Sequence, residues 1–355
     1  MVKRHNNGED GSEEYQQITK AKRMRITQPK RIKTPTKFYL QILWVFYVMA
    51  TLDLSVSCNN GNTNITVVDT TENLWHGWNH YQIKETDTLE RYGYNLISNT
   101  AYFLGPKGSV SQTTNGMNCQ NCHLEAGILP WGNNYSAVAA TYPKFRDRSN
   151  SIESIEKRVN ECLERSLNGK AINSSSREMK AFIAYIKWVG NDVPKGKKPK
   201  GSGIMDIPFL DRAANAQNGK KVYVANCQRC HQTNGDGQKN AEGYGYTYPP
   251  LWGSSSYNTG AGLYRLSRLA GYVKNNMPFK EATYNKPILT NEEAWDVAAF
   301  INSQPRPIKD LSNDWYNIAK KPIDHPFAPY ADSFTEIQHK YGPFQKILAF
   351  KKMKL

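Results

Sequence analysis

The sequence predicts an all-α fold of two tandem helical domains with an extended C-terminal tail. Two five-residue motifs, CQNCH at Cys119–His123 and CQRCH at Cys227–His231, lie more than a hundred residues apart. Each is followed by a segment with apolar residues at helical spacing, and a Gly-, Pro- and Lys-rich stretch separates the two halves. A chain of 355 residues is long enough for two such domains.

Residues 1–58 are predicted to be a basic leader. An apolar segment follows the basic run and extends from Phe38 to Leu54, too short for a comfortable bilayer span. It fits the apolar core of an export signal. It ends in Ser55-Val56-Ser57-Cys58, and small residues before a cysteine suggest a lipid anchor on Cys58. Ordinary cleavage nearby and an uncleaved anchor are the alternatives, and all three place the body of the protein outside the cytoplasm. We expect a periplasmic protein that is anchored to the membrane through its N-terminal segment or lipid.

The first domain is predicted at 59–190, and a helix from Glu178 to Val189 closes it. Its methionine, phenylalanine and isoleucine residues recur at intervals of three and four, which is typical of a helix with one buried face. Residues 191–203 are predicted to be a linker because glycine, proline and lysine dominate there.

The second domain and its wrapping tail are predicted at 204–355. Thr290 and Glu293 form the capping-box pattern at the start of the last helix of this domain. Pro305 follows the end of that helix, and the residues beyond it carry scattered prolines and aromatics. The two domains resemble each other in layout, which indicates one small helical unit repeated with divergence.

The net charge of +15 narrows the classes of partner without selecting one. A basic protein attracts nucleic acid, an anionic membrane surface or a small anionic substrate. Because no recognition-helix, RNP or zinc-finger spacing accompanies the charge, we do not expect a nucleic-acid partner.

The C-x-x-C-H pattern predicts covalent haem. A C-x-x-C pair alone also fits zinc ligation or thiol exchange, but the histidine that follows places an imidazole under the iron of a haem whose vinyl groups form thioethers with the two cysteines. The sequence therefore predicts two haem c groups with two axial histidines. The attachment and ligand residues are Cys119, Cys122, His123, Cys227, Cys230 and His231.

The second axial ligand of each iron determines its chemistry. For the second haem, Met277 lies at a suitable distance downstream and is followed by Pro278, which ends a helix and presents the thioether from a loop. Most methionines at helical spacing are merely packed in the core. A Met/His pair raises the haem potential and suits electron transfer.

The first domain has no Met-Pro at the equivalent place, and Cys162 is its one cysteine without a role in haem attachment. A helix is predicted around it, with Asn150 and Glu153 as the capping box and Gly169 as the stop. Its face also contains Ile155, Val159 and Ser166.

A buried, inert cysteine is the simplest interpretation of Cys162. Arg158, one turn earlier, and the nearby Arg165 instead favour a thiolate, which lowers the potential of a haem iron that it binds. His76 and His80 are competing ligand candidates.

The sequence resembles the dihaem cytochromes c of the thiosulfate dehydrogenase (tetrathionate synthase) family over about residues 90–345. In the first domain the matching stretches are YGYNLISNTAYFLGPKG, MNCQNCHLEAG, YPKFRDRS and RVNECLERSLNGK. In the second they are NCQRCHQTNGDGQ, GYTYPPLWG, NNMP, EEAWDVAAFINSQPRP, KKPIDHPFAPYAD and QHKYGPF.

The resemblance implies that Cys162 is the distal ligand of a catalytic haem. It also implies that Arg148 and Arg158 are the basic pocket residues and that Ser166 is a small polar pocket residue, while Met277 completes the second haem. Some members of the family carry a lysine directly before the methionine, where this chain has Asn276. A ligand exchange at the second haem is therefore not expected, and Lys274 is a poor substitute.

The implied reaction couples two thiosulfate anions into tetrathionate, in either direction, and passes two electrons through the second haem to a cytochrome acceptor. Fixed positive charge is needed where two dianions meet. The alternatives are a non-catalytic dihaem electron carrier, a tetrathionate reductase and a protein that conjugates sulfur to a carrier.

Overall fold

The computed structural model describes residues 74–79, 82–83 and 88–353, which all belong to one compact unit. The predicted leader, including Cys58, lies outside the described residues, as does His80. Within the described part of the chain, every helix is too short or too polar to cross a bilayer.

The first domain is built around two helices that cross, α1 and α6. Gly93 of α1 lies so close to the Ala181 carbonyl of α6 that an added Cβ atom would collide with it. The helices of this domain are α1 (Leu89–Ser98), α2 (Thr100–Leu104), α3 (Leu124–Gly127), α4 (Val138–Thr141), α5 (Ile155–Arg165) and α6 (Arg177–Val189). Strands β1 (Lys144–Arg146) and β2 (Ser151–Glu153) form one antiparallel pair.

The second domain repeats this crossing with α7 and α10. Gly219 of α7 packs against the Asp296 carbonyl of α10, again without room for a Cβ atom. The helices here are α7 (Ala216–Asn226), α8 (Gln228–His231), α9 (Leu266–Asn276) and α10 (Asn291–Ser303). Strands β3 (Gln238–Lys239) and β4 (Tyr246–Tyr248) form the second antiparallel pair. The predicted all-α class is confirmed, since both sheets are two-stranded ribbons at the edges of helical domains.

The close approach at Gly219 gives a stability prediction. We expect Gly219→Ala to lower the free energy of unfolding by about 1–3 kcal/mol, because the two helices must move apart to admit a methyl group. Urea denaturation measures the change. Gly262→Ala is the matched control, since a Cβ atom at Gly262 would meet no other atom within 4 Å. Equal stability of the two variants would contradict the tight crossing.

The N-terminal caps of α10 and α5 can be compared with the helix starts that the sequence predicts. Thr290 and Glu293 form the predicted capping box at α10. The box predicted at Asn150 and Glu153 is wrong, because Glu153 is the last residue of β2 and Ser154 caps α5 by accepting a hydrogen bond from the Lys157 N–H. The antiparallel pairing of β1 with β2 holds Glu153 in an extended conformation, and Asn150 lies in the turn before β2.

The segment 191–203 is fixed to the first domain. The Trp131 N–H donates to the Gly201 carbonyl at 2.7 Å, and the Asn133 N–H donates to the Gly203 carbonyl at 2.9 Å. Asn134 Nδ2 also donates to the Gly201 carbonyl. The chain thus enters the second domain from a rigid position beside the first cysteine motif.

The C-terminal tail contacts the first domain through Asp314 and Trp315 and then packs on the second domain. Asp324 accepts hydrogen bonds from Arg265 Nε at 2.9 Å and from the Ser267 N–H at 3.1 Å, and it is 1% exposed. The tail also contains two helices that the sequence analysis did not identify, α11 (Glu336–Tyr341) and α12 (Gln345–Met353). Phe344 and Ile347 bury this end of the chain in the core of the second domain.

Candidate haem sites and anion pocket

The first cysteine motif is a tight turn that presents an oriented imidazole. Cys119–Asn121 form a 3₁₀ turn, closed by hydrogen bonds from the Cys122 and His123 N–H groups to the Cys119 carbonyl. His123 Nδ1 lies 2.5 Å from the Asn133 carbonyl. Burial lowers the pKa of His123 to about 4, so its ring is neutral and donates from Nδ1. Nε2 is then left as a metal-binding nitrogen.

The second motif repeats this arrangement. Cys227 ends α7, and the His231 N–H donates to its carbonyl at 2.9 Å. His231 Nδ1 lies 2.8 Å from the Pro249 carbonyl, and burial lowers the pKa of His231. Each motif therefore offers a neutral imidazole whose orientation is fixed by one backbone carbonyl.

The surroundings of the cysteines argue against thiol exchange. Burial raises the pKa of Cys119, Cys122 and Cys227 to about 12, whereas exchange needs a lowered thiol pKa. Structural zinc takes about four ligands, and the described ranges contain no group of three or more His, Cys, Asp or Glu side chains suited to a metal ion. Apolar burial does fit sulfurs that become thioethers.

The cavity at the second motif is of a size and character that fit a haem. It has a volume of about 950 Å³, and Cys227, Cys230 and His231 lie on its wall together with Met277. Leu269, Val273 and Ile301 are among its apolar lining residues. The thioether of Met277 is thus placed in the same cavity as the imidazole of His231.

Two polar side chains close to Met277 in sequence, Asn276 and Lys274, are hydrogen-bonded to backbone carbonyls. Asn276 is 4% exposed, and its Nδ2 donates to the Tyr272 carbonyl at 3.0 Å and to the Trp131 carbonyl at 3.3 Å. Lys274 donates to the Leu289 carbonyl. Both side chains therefore donate to backbone carbonyls away from Met277.

The cavity at the first motif brings together most of the predicted site residues. Its volume is about 180 Å³, and Cys119, Cys122 and His123 line it with residues of α5. The α5 residues that face it are Ile155, Arg158, Val159 and Cys162, followed by Ser166 at the helix end. His76 does not line it: its ring bonds to Asp192 at 3.1 Å.

Arg158 supplies positive charge to this cavity. The negative charge that Cys162 can carry raises the pKa of Arg158, against the opposing effect of burial. The Arg158 side chain is 34% exposed, so it reaches both the cavity and solvent. Arg165, by contrast, forms a bidentate ion pair with Asp314.

Glu161 connects the two arginines of the predicted pocket, and the sequence analysis missed it. Its Oε2 accepts a hydrogen bond from Arg148 and lies 3.4 Å from Arg158 Nη1. Arg148 is directed away from Cys162, into a cavity of about 40 Å³ that Trp315 and His325 also line. The structure therefore brings Arg158 and Ser166 to Cys162, but not Arg148. The spacing of Glu161 three residues after Arg158 is the sequence signal for the pair.

Helix α9 of the second domain contacts the first motif. Tyr272 donates its hydroxyl to the Asn121 carbonyl at 3.1 Å. The large cavity that contains Met277 also reaches Asn121 and Cys122 of the first motif. Groups attached at the two motifs are thus neighbours within one protein core.

Comparison with known families supports two cytochrome c domains. The model described as "SoxA/TsdA, cytochrome c domain" matches residues 109–194, and the "Cytochrome c" model matches residues 216–305. Each match includes one complete C-x-x-C-H motif. The chain therefore carries two covalently attached haem c groups.

Several curated relatives are thiosulfate dehydrogenases. That of Psychrobacter arcticus is 38% identical over 62% of this chain and 65% of its own length. Those of Stutzerimonas stutzeri and Allochromatium vinosum are 34% and 36% identical, over 61% and 55% of this chain and 69% and 71% of their own lengths. This chain thus spans about two thirds of each curated relative.

A solved structure shares the fold. The thiosulfate dehydrogenase TsdBA from Marichromatium purpuratum, in its "as isolated" form, aligns with a TM-score of 0.59 and 27% identity. The alignment covers 65% of this chain and 49% of that chain. About half of the solved protein therefore has no counterpart in this comparison.

Proposed function

Because the chain belongs to the thiosulfate dehydrogenase family of dihaem cytochromes c, we propose that it oxidises thiosulfate to tetrathionate and passes the electrons to a cytochrome. The observation that carries the proposal is the α5 face, on which Cys162 and Arg158 share one cavity with the first C-x-x-C-H motif. A simple electron carrier needs neither a thiolate ligand, which lowers the haem potential, nor a cationic side chain in the haem pocket.

The balanced reaction joins two thiosulfate dianions through their terminal sulfurs, forming one sulfur–sulfur bond and releasing two electrons. The haems supply one-electron redox chemistry. Cys162 is the proposed partner of His123 on the first iron, and Met277 is the proposed partner of His231 on the second. A thiolate lowers and a thioether raises the potential, so electrons would run from the first site to the second.

The protein's own task is to hold two anions together. Coulomb repulsion between two dianions opposes their approach, and a fixed guanidinium offsets it. Arg158 can form two parallel hydrogen bonds to sulfonate oxygens. Ser166, at the end of α5 in the same cavity, can donate its hydroxyl. We assign Arg148 an indirect part, through the charge of Glu161.

The proposed location is extracytoplasmic, since cytochromes c acquire their haem outside the cytoplasm. The acceptor is proposed to be a cytochrome that approaches the second domain. Anchoring through the leader or Cys58 stays a prediction, because those residues lie outside the described part of the chain.

A product assay tests the activity. We expect the purified dihaem protein to reduce two ferricyanide ions and form one tetrathionate for every two thiosulfate ions consumed. A Cys119→Ala/Cys122→Ala variant, which cannot attach the first haem, should keep the second haem and lose turnover. Wild-type protein that carries both haems but forms no tetrathionate would refute the activity and leave an electron carrier.

A further inference from the structure

The C-terminal end of α5 is capped by the second domain. Asn258 Nδ2 donates to the Glu164 carbonyl at 2.8 Å and to Asn168 Oδ1 at 2.9 Å. The Asn258 N–H donates to the Arg165 carbonyl at 3.1 Å. The last carbonyls of a helix have no partner within the helix, so a buried helix end needs donors from elsewhere. Here one residue, 1% exposed, provides them from the other domain through its side chain and its backbone N–H.

Asn258 is itself held in place by its own domain. Its Oδ1 accepts the Gly260 N–H at 3.0 Å, and the neighbouring Tyr257 hydroxyl donates to Asn302 Oδ1 at 3.1 Å. The segment that carries Asn258 begins near Pro249, whose carbonyl orients His231. The cap is therefore attached to the framework of the second haem site.

Cys162 lies in the helical turn that this cap closes. The Ser166 and Leu167 N–H groups both donate to the Cys162 carbonyl, at 2.9 and 3.1 Å. A change in the position of Glu164 and Arg165 thus moves the backbone of Cys162 directly. A tail contact reinforces the same turn, because Arg165 and Asp314 form two hydrogen bonds of 2.8 Å.

We propose that Asn258 is a positioning residue that sets how Cys162 meets the first haem iron, so that the second domain controls ligation at the first haem site. The inference rests on the proposed function, in which Cys162 is the ligand. Asn258 is suited to a test because it is uncharged. Its removal changes the position of the helix end and leaves the charge near the iron unchanged, whereas removal of Arg165 would change that charge.

The experiment compares two capping residues of the second domain in the full dihaem protein. Asn258→Ala and the milder Asn258→Ser remove the side-chain hydrogen bonds to the end of α5, while the backbone N–H at this position can still donate to the Arg165 carbonyl. Thr290→Ala is the matched control, because Thr290 caps α10 of its own domain by accepting the Glu293 N–H at 3.1 Å. Electron paramagnetic resonance of the oxidised protein measures the fraction of the first haem with a thiolate ligand, and redox titration gives its potential.

We expect the ratio of thiolate-ligated to released first haem to fall about tenfold in Asn258→Ala, since two hydrogen bonds at the helix end are lost. The potential of the first haem should rise, and the signal of the second haem should not change. Thr290→Ala should keep the wild-type signal of the first haem at a similar loss of unfolding midpoint.

Two other outcomes separate the inference from the function on which it rests. If Cys162→Ala abolishes the thiolate signal but both Asn258 variants keep the wild-type signal and potential, Cys162 is the ligand and the positioning role is wrong. If the wild-type protein has no thiolate signal, the ligand assignment fails and the inference fails with it.

Discussion

Replacement of Cys162 by alanine is expected to lower kcat for thiosulfate oxidation by about a thousandfold or more, because we propose that this side chain acts at the reacting centre. The thiolate signal of the first haem should disappear in the same variant, while both haems stay attached through the four motif cysteines. Steady-state assays of tetrathionate formation and electron paramagnetic resonance of the same samples measure the two effects.

Two further variants distinguish a chemical role of the Cys162 side chain from a role in packing. Val159→Ala enlarges the same cavity one turn earlier on α5, and it should keep most of the activity. Cys162→Met replaces a thiolate by a thioether and should raise the potential of the first haem, which removes the downhill step to the second. A Cys162→Ala protein with unchanged turnover would remove Cys162 from the mechanism and return it to the role of a buried small side chain.

The haem motifs could be predicted from the sequence because their chemistry is local. Two cysteines and a histidine within five residues determine both the attachment and the first axial ligand. The face of α5 was also predictable, since helical spacing alone places Arg158, Cys162 and Ser166 together. The local pattern at Thr290 and Glu293 likewise placed the start of α10.

The incorrect capping box shows that a local sequence pattern is not always sufficient to predict where a helix begins. Asn150 and Glu153 have the spacing of a cap, but Glu153 pairs with Lys144 in a ribbon whose register depends on the preceding turn. The 191–203 segment has the composition of a free linker, yet its carbonyls accept hydrogen bonds from Trp131, Asn133 and Asn134. In both cases a contact made after folding outweighs the intrinsic preference of the segment.

The groups that surround the site come from distant parts of the chain. Asn258 lies 94 residues from its partner Glu164, and Asp314 lies 149 residues from Arg165. No periodicity relates such residues, so the sequence of α5 gives no sign that its end is fixed by another domain. The surroundings of Arg148 were equally hidden, because its backbone carbonyl accepts a hydrogen bond from the Trp315 N–H at 2.7 Å.

Replacement of Arg158 by methionine is expected to lower kcat/KM for thiosulfate by about a hundredfold to a thousandfold, the usual effect of removing one fixed donor from a reacting anion. Arg158→Lys keeps the charge but not the planar pair of donors, so its loss should be intermediate. Steady-state kinetics at several ionic strengths measure both effects. Arg146→Met is the matched control, since Arg146 pairs loosely with Glu153 at 3.9 Å outside the cavity and should stay near wild type.

Replacement of Arg148 is expected to lower kcat/KM less than replacement of Arg158, and a second substitution should reverse most of the loss. Without Arg148, Glu161 has Arg158 as its remaining arginine partner and reduces the positive potential at Cys162. Arg148→Met should therefore lower kcat/KM by about tenfold, the scale of one charge–charge interaction near a protein surface, and a second change of Glu161→Gln should restore most of the loss. If Arg148→Met is as damaging as Arg158→Met and the second change does not restore activity, Arg148 itself contacts the substrate, and the cavity must open toward Trp315 during the reaction.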